Sequence, residues 1–306
     1  MWSYTFRRVL ATLPTLLAVV TVCYLLLHGT PGGPFDDERK VSAAVLANLQ
    51  AKYHLDLPLW QQYLHYLNNL LHGDLGASFR YADWSVNELV AKALPVSAVI
   101  GGVSIVIALF VGVLLGTIAA LRQNSAVDYL VMLLGNAGHA FPSFVIGPVL
   151  ILVFAVWLRL LPAGGWDDFS PRFMVLPMVL LVFINVATIG RVMRGSLIEV
   201  LHSNFIRTAR AKGLPMRTIV LRHAFKPALL PVVSIIGPLA ISSITSAIVT
   251  ESVFSLPGLG KLIVNGAANR DYTLVLGLVV LVTVVAVMFN LLVDLAYAAL
   301  DPKIRY

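Results

Sequence analysis

The sequence predicts an all-α membrane protein with six transmembrane helices, and two observations support that prediction. Hydrophobic residues make up 58% of the 306-residue chain and charged residues only 12%, whereas soluble domains contain about 25% charged residues. Six long intervals also contain no Asp, Glu, Lys or Arg. A bilayer core about 30 Å thick is crossed by about 20 apolar residues in helical form, because no water is available there to satisfy an irregular backbone.

The six uncharged intervals are, in chain order, residues 9–35, 93–121, 129–158, 173–190, 227–250 and 272–293. The first is longer than the apolar region of a signal peptide and runs into a Gly- and Pro-rich stretch, so we expect a retained anchor. The fourth is the shortest and contains Pro177 and Asn185, and a buried helix of a soluble domain is its alternative. Cys23 is the only cysteine, which excludes a disulfide within the chain.

The charge distribution predicts the orientation. Arg7 and Arg8 precede the first interval, which suggests a cytoplasmic N-terminus and places the segments 122–128, 191–226 and 299–306 on the same side. Together these regions hold 13 of the 22 Lys and Arg residues and few acids. The positive-inside rule therefore predicts that both termini are cytoplasmic. The same bias accounts for the net charge of +7, so no nucleic-acid partner is needed to explain it.

This topology divides the chain into three parts. Residues 1–28 form an N-terminal transmembrane helix, and residues 29–92 form an extracytoplasmic segment with amphipathic helices. Residues 93–306 form a core of five transmembrane helices and a cytoplasmic loop, 191–226. Within the extracytoplasmic segment, apolar and aromatic residues from Trp60 to Leu71 recur at helical spacing. That pattern predicts a helix that lies on the membrane surface or packs on the protein's own spans.

The loop 191–226 has the pattern of two short helices. From Glu199 to Lys212, the side chains of Leu201, Phe205 and Ala209 recur every four residues, which predicts an amphipathic helix. Gly213 can adopt the left-handed conformation that ends a helix, and Pro215 suits the first turn of a second one. A basic loop that only maintains topology and touches anionic lipid is the alternative. The helix-Gly-Pro-helix order favours an element that docks a partner.

The residues of this loop resemble a known signature. The stretch 204–215 reads N-F-I-R-T-A-R-A-K-G-L-P and is followed by R-H-A at 222–224 and A-L-L-P at 228–231. It looks like the cytoplasmic signature of bacterial peptide-importer permeases. Along nearly its whole length the chain resembles the B-type subunits of oligopeptide permeases, including F-S-L-P-G-L-G at 254–260 and D-P-K-I-R-Y at 301–306.

The resemblance implies a type I ATP-binding-cassette importer permease fold and a role in moving oligopeptides or dipeptides across the cytoplasmic (inner) membrane of a bacterium. The implied partners are a second homologous permease in a heterodimer, two ATPase subunits that hold ATP and Mg²⁺, and an extracytoplasmic peptide-binding protein that docks on 29–92 and 253–272. In the wider family this loop has the consensus E-A-A-x3-G. In this chain Arg207 stands at the position of the Glu. The implied ATPase-coupling residues are Arg207, Thr208, Ala209, Arg210, Ala211, Lys212, Gly213, Leu214 and Pro215.

Catalytic motifs are absent from the sequence. It contains no G-x-x-x-x-G-K-[ST], no H-E-x-x-H and no G-x-S-x-G, so we expect a non-enzymatic chain without a catalytic, metal or cofactor site. His139 and Asn185 are polar residues at membrane depth and are candidates for the transport pathway. Glu251 and Asp294 lie near interval ends and are expected at the interface. A self-sufficient secondary transporter or channel is the alternative function, although no interval holds the mid-membrane carboxylate expected of a proton-coupled carrier.

Overall fold

The computed structural model describes residues 2–29, 56–81 and 83–300. A π-helical stretch, Ile151–Trp157, follows the α-helix Ser143–Leu150. A second π-helical stretch, Ile219–Ala224, connects the single turn Met216–Thr218 to the α-helix Phe225–Val253. The C-terminal D-P-K-I-R-Y sequence and much of the segment 29–92 lie outside the described residues. The helices are α1 (Trp2–Gly29), α2 (Leu59–Leu71), α3 (Val86–Leu121), α4 (Ala126–Ala140), α5 (Ser143–Leu150), α6 (Pro171–Leu201), α7 (Asn204–Ala211), α8 (Phe225–Val253), α9 (Leu259–Ala268) and α10 (Tyr272–Leu300).

Five helices of the described residues are long and apolar enough to cross a membrane: α1, α3, α6, the run that leads into α8, and α10. The third predicted interval, 129–158, is divided into two shorter apolar helices, α4 and α5 with its π-helical continuation. The division falls at Pro142, whose backbone is extended (φ −60°, ψ 146°). A proline also disfavours helical backbone in the residue before it. The predicted all-helical architecture is confirmed for the described residues, in which five of the six predicted intervals lie in helices of spanning length and the third forms two shorter helices.

The fourth interval, which is the shortest in the sequence, lies within a helix of 31 residues. Its charge-free part ends at Gly190, but α6 continues through Arg191, Arg194 and Glu199 to Leu201. The first eleven residues of the predicted loop are therefore the end of α6. A charge ends an apolar interval without ending the helix, because Arg and Glu both have high helix propensity.

The centre of the fold is α6, which packs against α3, α4 and α8. Its contact with α3 is close because both helices present glycines. A Cβ added to Gly116 would lie 2.5 Å from the Gly190 carbonyl oxygen, and one added to Gly112 would lie 2.8 Å from Ile189 Cβ. Small residues at a helix crossing let the two backbones approach, which is how membrane helices gain packing contacts without a hydrophobic driving force.

Glu251 joins α8, α9 and α3 at the end of the molecule opposite the loop. Its carboxylate accepts hydrogen bonds from Ser97 Oγ at 2.5 Å and from the backbone N–H of Gly260 at 2.7 Å. Glu251 is 1% exposed and is therefore buried within the protein; its position at the membrane interface stays a prediction. The free N–H groups at the start of α9 satisfy the carboxylate and allow its burial. The side chain of Asp294 lies outside the described part of the chain.

Asp271, just before α10, fixes a second connection at this end. It is fully buried and accepts hydrogen bonds from the hydroxyl of Ser78 and from the backbone N–H groups of Phe79 and Leu274. Residues 76–81 are thereby tied to the start of α10. This part of the predicted extracytoplasmic segment is a folded element of the core.

Helix α2 forms over Leu59–Leu71, as the sequence predicts. One side packs on the end of α1, where the Tyr63 hydroxyl and the Thr21 hydroxyl lie 2.6 Å apart. The other side leaves Trp60, Leu64 and Leu71 exposed. The predicted packing on the protein's own spans is confirmed through the tyrosines, and the predicted position on the membrane surface stays a prediction.

Candidate coupling surface

Helix α7 has eight residues, and a helix of that length is marginal in isolation. It is held by its contacts with the rest of the protein. Ile206 is fully buried and Ala209 nearly so, in a cluster with Leu197 of α6 and Ile219. Full burial of one Ile side chain stabilises the folded state by about 1.5–3 kcal/mol. The helix is thus seated on a cluster formed by the end of α6 and by Ile219–Ala224.

The end of α7 is closed by a Schellman motif. The N–H of Gly213 donates to the Arg210 carbonyl at 2.9 Å, and the N–H of Leu214 donates to the Ala209 carbonyl at 3.3 Å. Gly213 has φ +74°, which confirms the left-handed conformation predicted there. Leu214 packs against the same cluster as Ala209, the apolar contact that accompanies this motif.

Two details of the predicted loop are wrong. The predicted helix from Glu199 to Lys212 is interrupted, because α6 ends at Leu201 and α7 begins at Asn204. The interruption changes which side chain faces inward, so Phe205 is 51% exposed and the neighbouring Ile206 takes its place in the core.

The second helix of the loop also differs from its prediction. Pro215 is the residue before that helix, with φ −68° and ψ 148°, and does not lie in its first turn. The helix is not a separate short element either, because it runs without a break into α8.

The exposed side of α7, the turn after it and the exposed side of Met216–Thr218 and Ile219–Ala224 form what we call the coupling surface. Five cations, Arg207, Arg210, Lys212, Arg217 and Arg222, lie on this surface and no acid does, so the surface suits an acidic partner. Apolar side chains lie among the cations. Of the nine predicted coupling residues, Ala209 is buried and Leu214 half-buried, and the other seven are exposed. The coupling surface comprises Phe205, Arg207, Thr208, Arg210, Ala211, Lys212, Gly213, Pro215, Met216, Arg217, Leu221 and Arg222.

An ion pair that the sequence analysis missed ties α4 to α6 near this surface. Arg194 Nε donates to Asp128 Oδ1 at 2.5 Å, and a second guanidinium nitrogen donates to Oδ2 at 2.6 Å. The paired geometry is the strong form of this interaction. Both charges flank apolar intervals on the same predicted side of the membrane, and that coincidence is the signal that could have suggested the pair. It links α4 to the helix that carries α7.

The two pathway candidates fare differently. Asn185 is 4% exposed, and its side-chain amide donates to the Leu181 carbonyl at 2.9 Å and to Ser243 Oγ at 3.1 Å. It therefore joins α6 to α8 in this structure. His139 lies near the end of α4, and its side chain is outside what the structure describes. A pathway role for either residue stays a prediction.

No group of three or more His, Cys, Asp or Glu among the described residues could hold a metal ion. The helices of membrane-spanning length around α6 define a polytopic membrane protein, and a short capped helix lies in its basic loop. The sequence profile of one family, described as binding-protein-dependent transport system inner membrane component, matches residues 112–306. The chain belongs to that family and is a multi-pass inner-membrane protein.

Known relatives match the whole chain. The oligopeptide transport system permease protein OppB of Haemophilus influenzae is 53% identical over 306 residues, which is all of both chains. The protein of the same name from Escherichia coli K12 is 52% identical, also over the full length of both. The dipeptide transport system permease protein DppB of Bacillus subtilis is 42% identical over 305 residues, 100% of this chain and 98% of that one.

A solved structure has the same fold. One chain of the inward-facing MetNI methionine ABC transporter is similar, with a TM-score of 0.60 and 17% sequence identity. The match covers 70% of this chain and 96% of that chain. This similarity confirms the importer permease fold. Full-length similarity to permeases also argues against the alternative of a self-sufficient carrier.

Proposed function

We propose that this chain is the membrane-spanning permease subunit of an ATP-binding-cassette importer that carries oligopeptides or dipeptides across the cytoplasmic membrane of a bacterium. The observation that carries the proposal is the coupling surface: one side of the short helix α7 is buried in the protein, and its opposite, basic side is exposed. Separate ATPase subunits bind ATP and Mg²⁺, and this chain performs no catalysis. The substrate class follows the names of the full-length relatives.

The arrangement of α7 suits the transmission of force. Ile206 and Ala209 anchor the helix in the core, so a partner that pushes on Arg207 or Arg210 moves the end of α6 with it. Because the chain passes from α7 directly into the helix that becomes α8, the same push reaches two long helices. Packed helices respond to such a push as rigid bodies.

The proposed assembly contains a second homologous permease, two ATPase subunits and an extracytoplasmic peptide-binding protein. Both termini and the coupling surface face the cytoplasm. Residues 29–92 and 253–272 face the opposite side and receive the binding protein. The hydrogen bonds from Ser78 and Phe79 to Asp271 support this assignment, because they tie a described part of the first segment to the second.

Charge reversal on the coupling surface tests the proposal. We expect the triple variant Arg207→Glu, Arg210→Glu, Lys212→Glu to lower peptide uptake by about tenfold or more in proteoliposomes that contain the complete complex, because like charges then face the partner. The three side chains are exposed, so membrane insertion and thermal stability should not change. Arg172→Glu is the matched control, an exposed cation at the opposite end of α6. Unchanged uptake in the triple variant refutes the proposal.

The chain alone provides a second test. Reconstituted without partners, it should transport no peptide under a proton or sodium gradient. Gradient-driven flux by the isolated chain would support the secondary transporter in its place.

A further inference from the structure

The exposed side of α7 has short side chains along its middle and long ones at its edges. Successive residues of a helix are rotated by about 100°, and Ile206 and Ala209 occupy the buried side. Thr208 and Ala211 therefore lie at the middle of the opposite side, where both are exposed. Small residues at a helix surface let another backbone approach closely, so a partner can come nearest to α7 along this line.

The two edges of this exposed side carry different chemistry. One edge holds the phenyl ring of Phe205, which is 51% exposed, and Lys212 follows on the same edge at the end of the helix. The other edge holds Arg207 and Arg210, which are both exposed and are rotated by about 140° or more from Phe205. An evenly acidic partner surface would match the arginine edge and leave the phenyl ring without an apolar contact.

The buried side of α7 favours a protein over the bilayer as the partner of these edges. A helix that lies on a bilayer turns its apolar face to the acyl chains and its cations to water. In α7 the apolar face is already used, because Ile206 is fully buried in the cluster that contains Leu197 and Ile219. The exposed side is the one that such a helix turns to water, so a protein partner accounts better for the exposed ring of Phe205.

The magnitudes of the two kinds of contact differ. Exposed ion pairs change affinity little, and charges at the rim of an interface act mainly on the association rate and its salt dependence. Burial of the exposed half of a phenyl ring changes a dissociation constant by about fivefold to tenfold, and truncation of the ring leaves a cavity that adds to the loss. Aromatic side chains that fill a pocket are accordingly common among the residues that dominate an interface.

We propose that the coupling surface fits an asymmetric cleft on the ATPase subunit, an inference that rests on the function proposed above. The floor of the cleft lies against Thr208 and Ala211. One wall presents an apolar pocket to Phe205, and the opposite wall presents carboxylates to Arg207 and Arg210. The ring of Phe205 supplies most of the affinity, whereas the two arginines orient the approach and set its rate.

Binding of the ATPase subunits to the permease pair in lipid nanodiscs tests this division of roles. The dissociation constant is measured by titration at low and at high salt. We expect Phe205→Ala to raise it about tenfold at both salt concentrations. The double variant Arg207→Gln, Arg210→Gln should raise it only a few-fold at low salt, and screening should remove that difference at high salt. A larger loss in the arginine variant than in Phe205→Ala overturns the proposal.

An enlarged side chain tests the floor of the cleft. Ala211→Phe places a ring on the line of closest approach and should weaken binding about tenfold or more. Its matched control is Ala91→Phe, at an exposed alanine of α3 at the opposite end of the molecule. Phe144→Ala, which removes a ring that is 61% exposed at the start of α5, is the control for Phe205→Ala. All four sites are exposed, so thermal stability should not change. Equal binding by Ala211→Phe and Ala91→Phe overturns the proposal.

The wild-type titration separates this inference from the function on which it rests. Wild-type permeases that bind no ATPase subunit overturn the proposed function and the asymmetric cleft with it. Wild-type binding with unchanged affinity in Phe205→Ala overturns the asymmetric cleft alone and assigns the ring of Phe205 to the bilayer surface.

Discussion

Replacing Gly116 with Ala tests whether the close contact between α3 and α6 holds the fold together. A Cβ on Gly116 would lie 2.5 Å from the Gly190 carbonyl oxygen and 2.8 Å from Met193 Cβ. Both distances are below van der Waals contact. Because the first neighbour is backbone, a side-chain rotation cannot relieve the clash. The two helices must separate, and the contacts along their shared face must loosen.

The size of the effect is isolated by a control on the same helix. A Cβ on Gly101 meets nothing within 4 Å, so Gly101→Ala gains the helix propensity of Ala without a clash. That gain is common to both variants and cancels in their difference. What remains is the cost of overpacking, about 1–3 kcal/mol. The upper half of that range applies here, since the obstacle is a backbone atom.

The assay is thermal unfolding of the purified chain in one detergent, followed by the loss of monodisperse protein on heating. We expect Gly116→Ala to unfold roughly 5 °C below Gly101→Ala. The reasoning is refuted if the two variants unfold at the same temperature, because the α3–α6 approach would then not be limiting.

Three further predictions concern other contacts. Gly213→Ala places a Cβ on a residue with φ +74° and should destabilise the folded end of α7 by about 1–2 kcal/mol. We expect faster proteolysis within the loop and lower uptake, and Gly213→Asn should be closer to wild type in both. Glu251→Gln puts an amide donor near backbone N–H groups and should lower the free energy of unfolding by about 1.5–3 kcal/mol; a Tm equal to that of wild type would contradict the hydrogen bonds described. Asp128→Asn should lower uptake and Tm, and the exchange Asp128→Arg with Arg194→Asp should recover part of both; no recovery would show that the pair does not act as a unit.

The loop 191–226 illustrates how far sequence reasoning reaches. Gly213 was predictable because only one residue type readily takes φ +74°, and its place at the end of a basic helix is a local property. The start of α7 was not, because the break at residues 202–203 moves Ile206 inward and Phe205 outward. Two adjacent apolar residues satisfy the same helical pattern, and only the packing of α7 on the end of α6 and on Ile219–Ala224 determines which one is buried.

The ion pair and the buried carboxylate show a second limit. Asp128 and Arg194 are separated by 66 positions in the chain, and Glu251 depends on donors from another helix. A carboxylate near the end of an apolar interval has the same sequence context whether it faces water or the start of a helix. The sequence therefore did not predict the burial of Glu251.

The sequence by itself determined the membrane-embedded class, the positions of most of the long apolar helices, the concentration of positive charge in the loop 191–226 and the presence of a capped helix in that loop. These properties depend on composition and on patterns within one or two turns, where the bilayer and local backbone energetics leave few alternatives. The tertiary structure decided the central position of α6, the face that α7 buries, the pairing of Asp128 with Arg194 and the burial of Glu251. Each of these requires residues far apart in the chain to meet, and their burial or pairing is determined by the neighbours they find there.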